Sequence, residues 1–160
     1  MILKRLLGRK PRVGLSLAGG GAKGVAYVPF LAAMEEMELD IAAVSGSSIG
    51  AAIGGMYAAG LGPTELAAVL ESFRPGHFRE VFRINWHGRG LISGDSVRRF
   101  LEQTLPVQRF EQTRMPLKVV ATDYWRREQV VFDSGSLIDA IRASTAVPGV
   151  FEPAVLNGRV

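Results

Sequence analysis

Apolar and polar positions along this chain fall into short segments whose period switches between two and about 3.6, as strands alternating with helices require. Arg12 to Ala18 reads as a buried strand, and Gly19 to Gly24 as a glycine loop. Val25 to Met37 has helical spacing, with Val28, Leu31, Ala32 and Met34 inward and Glu35, Glu36 and Glu38 outward. Ile41 to Ser45 predicts a second strand, and Ser48 to Ala59 a second helix ending at Gly60. Pro63 suits the first turn of a third helix that runs to about Phe73. Residues 74–92 show no regular period and are rich in aromatic and basic groups. Ser96 to Leu105 reads as helix, and Leu117 to Thr122 and Gln129 to Phe132 as strands. Ser136 with Asp139 predicts a capped helix through Ser144, stopped before Pro148. The alternation predicts a parallel α/β sheet with helices on both faces.

Composition narrows the class. At 160 residues and 48% hydrophobic content, the chain can build one domain with its own core. It has no cysteine, so disulfide scaffolds and thiolate metal sites are excluded, and a cytoplasmic setting is the expectation. No apolar run approaches the ~20 residues needed to span a bilayer. The N-terminus is charged too early for a signal peptide. The net charge of +4 belongs to a tail: residues 1–12 hold Lys4, Arg5, Arg9, Lys10 and Arg12 and no acid. Residues 13–160, the expected domain, are close to neutral, which argues against a nucleic-acid partner. The tail interleaves Ile2, Leu3, Leu6 and Leu7 with its cations. It reads as a frayed, solvated terminus or as a short helix giving peripheral contact with a membrane surface.

The candidate chemistry centres on Ser48, in Gly46-Ser47-Ser48-Ile49-Gly50 between the second strand and the second helix. A serine on such a tight turn has a strained backbone and an exposed hydroxyl, the arrangement of a nucleophile elbow. Side chains at Gly46 and Gly50 would collide with the opposite arm of the turn. The following helix adds its N-terminal dipole where negative charge would develop.

The loop Gly19-Gly20-Gly21-Ala22-Lys23-Gly24 matches Gly-x-Gly-x-x-Gly after a strand, a dinucleotide-binding pattern when taken alone. That pattern also needs an acid at the end of the second strand. Asp40 instead precedes that strand, at the end of the sheet away from the loop. If the first two strands are parallel neighbours, the loop and Ser48 share one sheet edge. N–H groups of Gly20 and Gly21, with that of Ile49, can then form an oxyanion hole for acyl transfer. A plain tight turn packed against a helix is the simpler alternative. Lys23 can orient the loop, contact a phosphate head group, or be solvated.

Other groups carry weaker signals. His77 and His87 follow Ser48 but sit among arginines in the irregular segment and read as surface or lid residues. Asp123, at a strand end, is the first carboxylate to consider as base, although a turn role fits it better. Asp133 is a further carboxylate, Asp139 reads as part of a helix cap, and Asp95 as a helix start. No spacing suggests a metal site. Phe73, Phe78, Phe82, Trp86, Leu91 and Ile92 are equally an acyl groove, a flap over Ser48, or core.

The first strand with Gly19–Gly24, the Gly46–Gly50 turn, Ala121-Thr122-Asp123, and the run from Arg142 through Pro148 to Phe151-Glu152-Pro153 together resemble the patatin-like phospholipases. The resemblance runs from about residue 13 to the end. It implies a three-layer α/β/α sandwich with a mainly parallel sheet that hydrolyses acyl esters of lipids without a metal or other cofactor. It also implies a Ser–Asp dyad, with Ser48 as nucleophile and Gly20, Gly21 and their neighbours binding the oxyanion. The family's aspartate lies in an Asp-Gly-Gly or Asp-Gly-Ala motif after a Phe-x-Pro segment, and neither motif occurs in these residues. The expectation is therefore the first portion of a longer domain, lacking its base and inactive alone. An exposed sheet edge on the C-terminal side would invite homo-oligomers. The rival expectations are a non-catalytic lipid- or partner-binding module of the same fold, and nucleotide binding at Gly19–Gly24.

Overall fold

A computed structural model of the chain describes residues 10–72, 90–156 and 158. Strands β1 (Arg12–Leu17), β2 (Asp40–Ser47), β4 (Leu117–Asp123) and β5 (Glu128–Phe132) form one sheet in the order β1-β2-β4-β5. β1, β2 and β4 run parallel, with Leu17 opposite Gly46 and Gly46 opposite Val119. β5 runs antiparallel to β4 because the turn between them is too short for a crossover helix. Two short strands, β3 (Gly90–Ile92) and β6 (Gly149–Phe151), pair in parallel as a second sheet. The result is an α/β sandwich built on a mainly parallel sheet.

The helices among the described residues are α1 (Tyr27–Glu36), α2 (Ile49–Ala59), α3 (Pro63–Glu71), α4 (Gly94–Thr104) and α5 (Leu137–Thr145). None of them is long and apolar enough to cross a membrane. The glycine loop passes directly into a 3-10 helix, Gly21–Ala26, so the first α-helix starts two residues later than its spacing predicts. The Tyr27 hydroxyl donates to the Ala18 carbonyl at 2.8 Å and fixes that transition. α4 begins earlier than expected because the Glu152 carboxylate accepts the Gly94 N–H at 2.9 Å and caps it. The Ser136 hydroxyl accepts the Asp139 N–H at 3.1 Å, which starts α5 as the sequence predicts.

Strand alternation selects one core face. Leu15, Leu17, Val44, Leu117 and Val119 are buried, whereas Ser16 and Lys118 between them are exposed. Leu31, Leu66, Leu101, Leu137 and Ile141 complete the core from the helices, each such burial contributing about 1.5–3 kcal/mol. α1 keeps Val28 and Leu31 inward and Glu35 and Glu36 outward, as its spacing predicts. The Tyr57 hydroxyl donates to Glu35 at 3.0 Å and ties α2 to α1. Burial first, then the Glu35 hydrogen bond and charge, push its pKa up to about 12, so the phenol remains a donor at any physiological pH.

α2 lies unusually close to its neighbours through its glycines. A Cβ on Gly54 would stand 2.9 Å from Val44 Cγ1, and one on Gly55 2.8 Å from Ile141 Cδ1. Glycine inside a helix costs about 1 kcal/mol relative to alanine, and the contact with the sheet offsets that cost. Gly54→Val is expected to destabilise the fold by about 1–3 kcal/mol through overpacking. Urea unfolding checks it, and an unchanged midpoint would contradict this docking of α2.

Candidate active site

Ser48 stands between the end of β2 and the first turn of α2, with φ 53° and ψ −125°. A non-glycine residue in that region is held there by its surroundings at a cost of about 1–3 kcal/mol. Three contacts hold it. The Ser48 carbonyl accepts the N–H groups of Ala51 and Ala52 at 2.9 and 3.1 Å. The Ser48 N–H donates to Ser144 Oγ at 2.8 Å, and the Ser144 hydroxyl donates onward to the Val120 carbonyl at 2.6 Å. The turn, α5 and β4 are thereby locked together through one side chain.

The two flanking glycines are required by contact, though not in the same way. A Cβ on Gly46 would press on the Gly50 backbone, the opposite arm of the turn. A Cβ on Gly50 would instead press on the Leu17 carbonyl of β1, because the helix start is packed onto the neighbouring strand.

The parallel β1–β2 pair brings the glycine loop and Ser48 to the same edge. A Cβ built on Gly19 would lie 3.2 Å from Ser48 Cβ and 4.0 Å from Ser48 Oγ. Gly24 packs on Ile49, and a Cβ there would overlap the Ile49 side chain. Gly20 precedes the 3-10 helix and Gly21 opens it at φ 54°, so neither N–H has an acceptor within that helix. Lys23 is exposed on the same turn. Asp40 is at the other end of β2, opposite Arg12, with its Oδ2 3.5 Å from Arg12 Nε. A ribose-binding acid at the loop is therefore not supplied by Asp40, and the dinucleotide reading loses its second requirement.

Two cavities meet at Ser48. One, of about 290 Å³, is apolar and runs between α2, α3 and α4, past Ile49, Met56, Leu66, Val69, Leu70 and Phe100. The other, of about 490 Å³, lies toward the β4–β5 turn, past Ser47, Thr122, Tyr124, Trp125, Ser144 and Val147. No aspartate or glutamate among the described residues lines either one. A hydroxyl at the junction of a greasy pocket and a wider, more polar one suits attack on an ester whose two halves differ in polarity.

The other sequence candidates separate from this site. Asp123 is buried and closes the β4–β5 turn, its Oδ1 accepting the Arg126 N–H at 3.1 Å. It lines a different cavity, of about 360 Å³, without Ser48. Asp133 pairs with Lys118 at 4.0 Å, and Asp139 with Arg98. Asp95 is in the first turn of α4. Ile92 is in the core. His77, His87, Phe73, Phe78, Phe82, Trp86 and the Leu91 side chain lie outside the described residues, as do residues 1–9 of the basic tail. Sequence reasoning missed the apolar wall from α3 and α4, although Leu66, Val69 and Leu70, and Val97, Phe100 and Leu101, each carry helical spacing. It also missed Ser144 as a partner of Ser48, for which no local pattern exists.

Comparison with known proteins adds to this geometry. The model of a family described as patatin-like phospholipase matches residues 15–160. An uncharacterised NTE family protein of Mycobacterium tuberculosis is 34% identical over 150 residues, covering 94% of this chain and 41% of the relative. The Neurospora crassa lysophospholipase nte1 is 30% identical over 155 residues, covering 95% of this chain and 10% of the relative. The crystal structure of VipD from Legionella pneumophila aligns with a TM-score of 0.69 at 15% identity, over 91% of this chain and 44% of VipD. That likeness speaks for the fold alone. The chain spans less than half the length of each of these proteins.

Ser144→Ala removes the acceptor of the Ser48 N–H and the donor to Val120 together. It is expected to cost about 1–3 kcal/mol of stability, read by chemical denaturation. A variant as stable as the parent would contradict the hold described for the turn.

Proposed function

This chain belongs to the patatin-like phospholipase family, and from that premise we propose that it carries the nucleophile and oxyanion hole of a serine hydrolase acting on carboxylic esters of lipids. The observation that carries the reading is Ser48, on a strained strand-to-helix turn, touching the glycine loop and opening onto two cavities of different polarity. Ser48 Oγ attacks the ester carbonyl and gives its proton to an aspartate. The N–H groups of Gly20, Gly21 and Ile49 stabilise the oxyanion as it forms. The acyl chain lies in the apolar cavity, and the alcohol half leaves through the wider one. Water then attacks the acyl-enzyme and frees Ser48.

The aspartate of this scheme is that of an Asp-Gly-Gly or Asp-Gly-Ala motif, which residues 1–160 do not contain. The carboxylate-free lining of both cavities supports a base from outside the described residues. The 160 residues by themselves are thus expected to turn esters over poorly, since a neutral serine hydroxyl without a proton acceptor is a weak nucleophile. The check is kcat/KM on short p-nitrophenyl esters for this chain and for a protein that continues through the motif. Equal activity would place the base within residues 1–160 and overturn the dyad.

Ser48→Ala in the longer protein should reduce hydrolysis to background, and retained activity would reject Ser48 as nucleophile. Gly20 offers a clean test of the oxyanion hole. An added Cβ there would meet only Lys23 Cβ, at 3.6 Å. Gly20→Val keeps the N–H but sets a branched side chain beside it, in the way of the oxyanion, so it should fold yet lower kcat by up to ~10²–10³, the order lost with one oxyanion donor. Parallel losses of activity and thermal stability would support a packing role instead.

A further inference from the structure

The turn joining β4 to β5 leaves two large aromatic side chains in water. Tyr124 and Trp125 are 57% and 74% exposed, with their rings meeting edge to face at 5.3 Å. Arg126 and Arg127 follow directly and are exposed too. Asp123 keeps this turn in shape from beneath: its Oδ1 accepts the Arg126 N–H, and its carbonyl accepts the Arg127 N–H at 2.8 Å. An aromatic pair and a cationic pair are therefore presented on a fixed backbone.

The position of the turn gives the exposure its meaning. Tyr124 and Trp125 wall one side of the wider cavity at Ser48, and Val147 and Pro148 wall another. Val147 and Val150 are 46% and 41% exposed. The cavity thus has apolar side chains on its walls, and two exposed arginines follow its aromatic pair along the turn. Trp and Tyr favour the depth where headgroups meet acyl chains, and arginines beside them are drawn to anionic headgroups. Arg126 Nε lies 4.0 Å from the buried Asp123 Oδ2, so the whole turn is balanced, and only its exposed side, Arg126 and Arg127 against Glu128, carries an excess of cations.

We propose that the β4–β5 turn, with the Val147–Val150 segment across the cavity mouth, seats the protein on an anionic lipid surface so that the Ser48 cavity opens onto the headgroups. The contact stands on the turn itself. That it delivers substrate rests on the hydrolase reading above, so the test is run on Ser48→Ala protein, in which binding is measured without turnover.

The chain has two tryptophans, and Trp86→Phe leaves Trp125 as the sole reporter. Phosphatidylcholine vesicles are compared with vesicles of equal parts phosphatidylcholine and phosphatidylglycerol. The expected result is flotation with the anionic vesicles, a blue shift of Trp125 emission, and quenching by brominated acyl chains. Arg126→Glu with Arg127→Glu should weaken binding at least tenfold, given about fivefold for each arginine near a charged surface. Trp125→Ala should weaken it as well, with circular dichroism confirming that both variants fold. Flotation without a Trp125 shift would place the contact elsewhere, residues 1–12 included, and would overturn the proposal. So would binding unaffected by these substitutions, or no flotation at all. None of those results bears on whether Ser48 is the nucleophile.

Discussion

The backbone of Ser48 is the constraint on which the rest of the site depends. Its strained, positive-φ conformation is offset by what surrounds it: the first turn of α2 hanging from its carbonyl, and the Ser144 hydroxyl receiving its N–H. Because Ser144 also donates to Val120, the strain is shared among β2, α5 and β4, three elements far apart in sequence. A backbone held this way fixes the point from which the Ser48 side chain projects, and in the proposed reaction no rearrangement of the turn is needed as charge develops, the condition under which preorganised donors act most strongly.

Close packing on small residues follows from the same constraint. Gly46 lets the two arms of the turn meet, Gly50 lets the helix start rest on β1, and Gly24 admits Ile49. The glycine loop is thereby pressed against Ser48. With one side of the serine filled by backbone, open space remains in two directions, toward the apolar α2–α3–α4 cavity and toward the β4–β5 turn. The proposed placement of an ester, its acyl chain in the apolar cavity and its alcohol half in the wider one, follows where the strands and helices leave room.

Local patterns make most of the fold legible in the sequence. Strand and helix periods place β1, β2, β4, β5 and α1 to α5, and the glycine spacing of Gly46-Ser47-Ser48-Ile49-Gly50 marks the turn. What escapes has no local period. β3 and β6 are three residues each and exist by pairing with one another across the sequence. The start of α4 is misplaced by its spacing because its cap, Glu152, comes from a distant segment. Ser144 reads in sequence as the tail of an amphipathic helix, and only the tertiary fold brings it to Ser48. Asp123 is legible as a turn residue from its place at a strand end, and the structure gives it that role.

The central claim is that Ser48 Oγ is the reacting atom, and the site of a covalent adduct tests it most directly. In a protein that continues through the Asp-Gly-Gly or Asp-Gly-Ala motif, a fluorophosphonate that modifies activated serines should leave one adduct, and peptide mapping by mass spectrometry should find it on Ser48. Ser47, next along the chain, and Ser144, within hydrogen-bond reach, provide internal comparisons under identical exposure to the probe. An adduct confined to Ser48 is the predicted result. An adduct on Ser47, Ser144 or a serine elsewhere, with Ser48 untouched, would contradict the account.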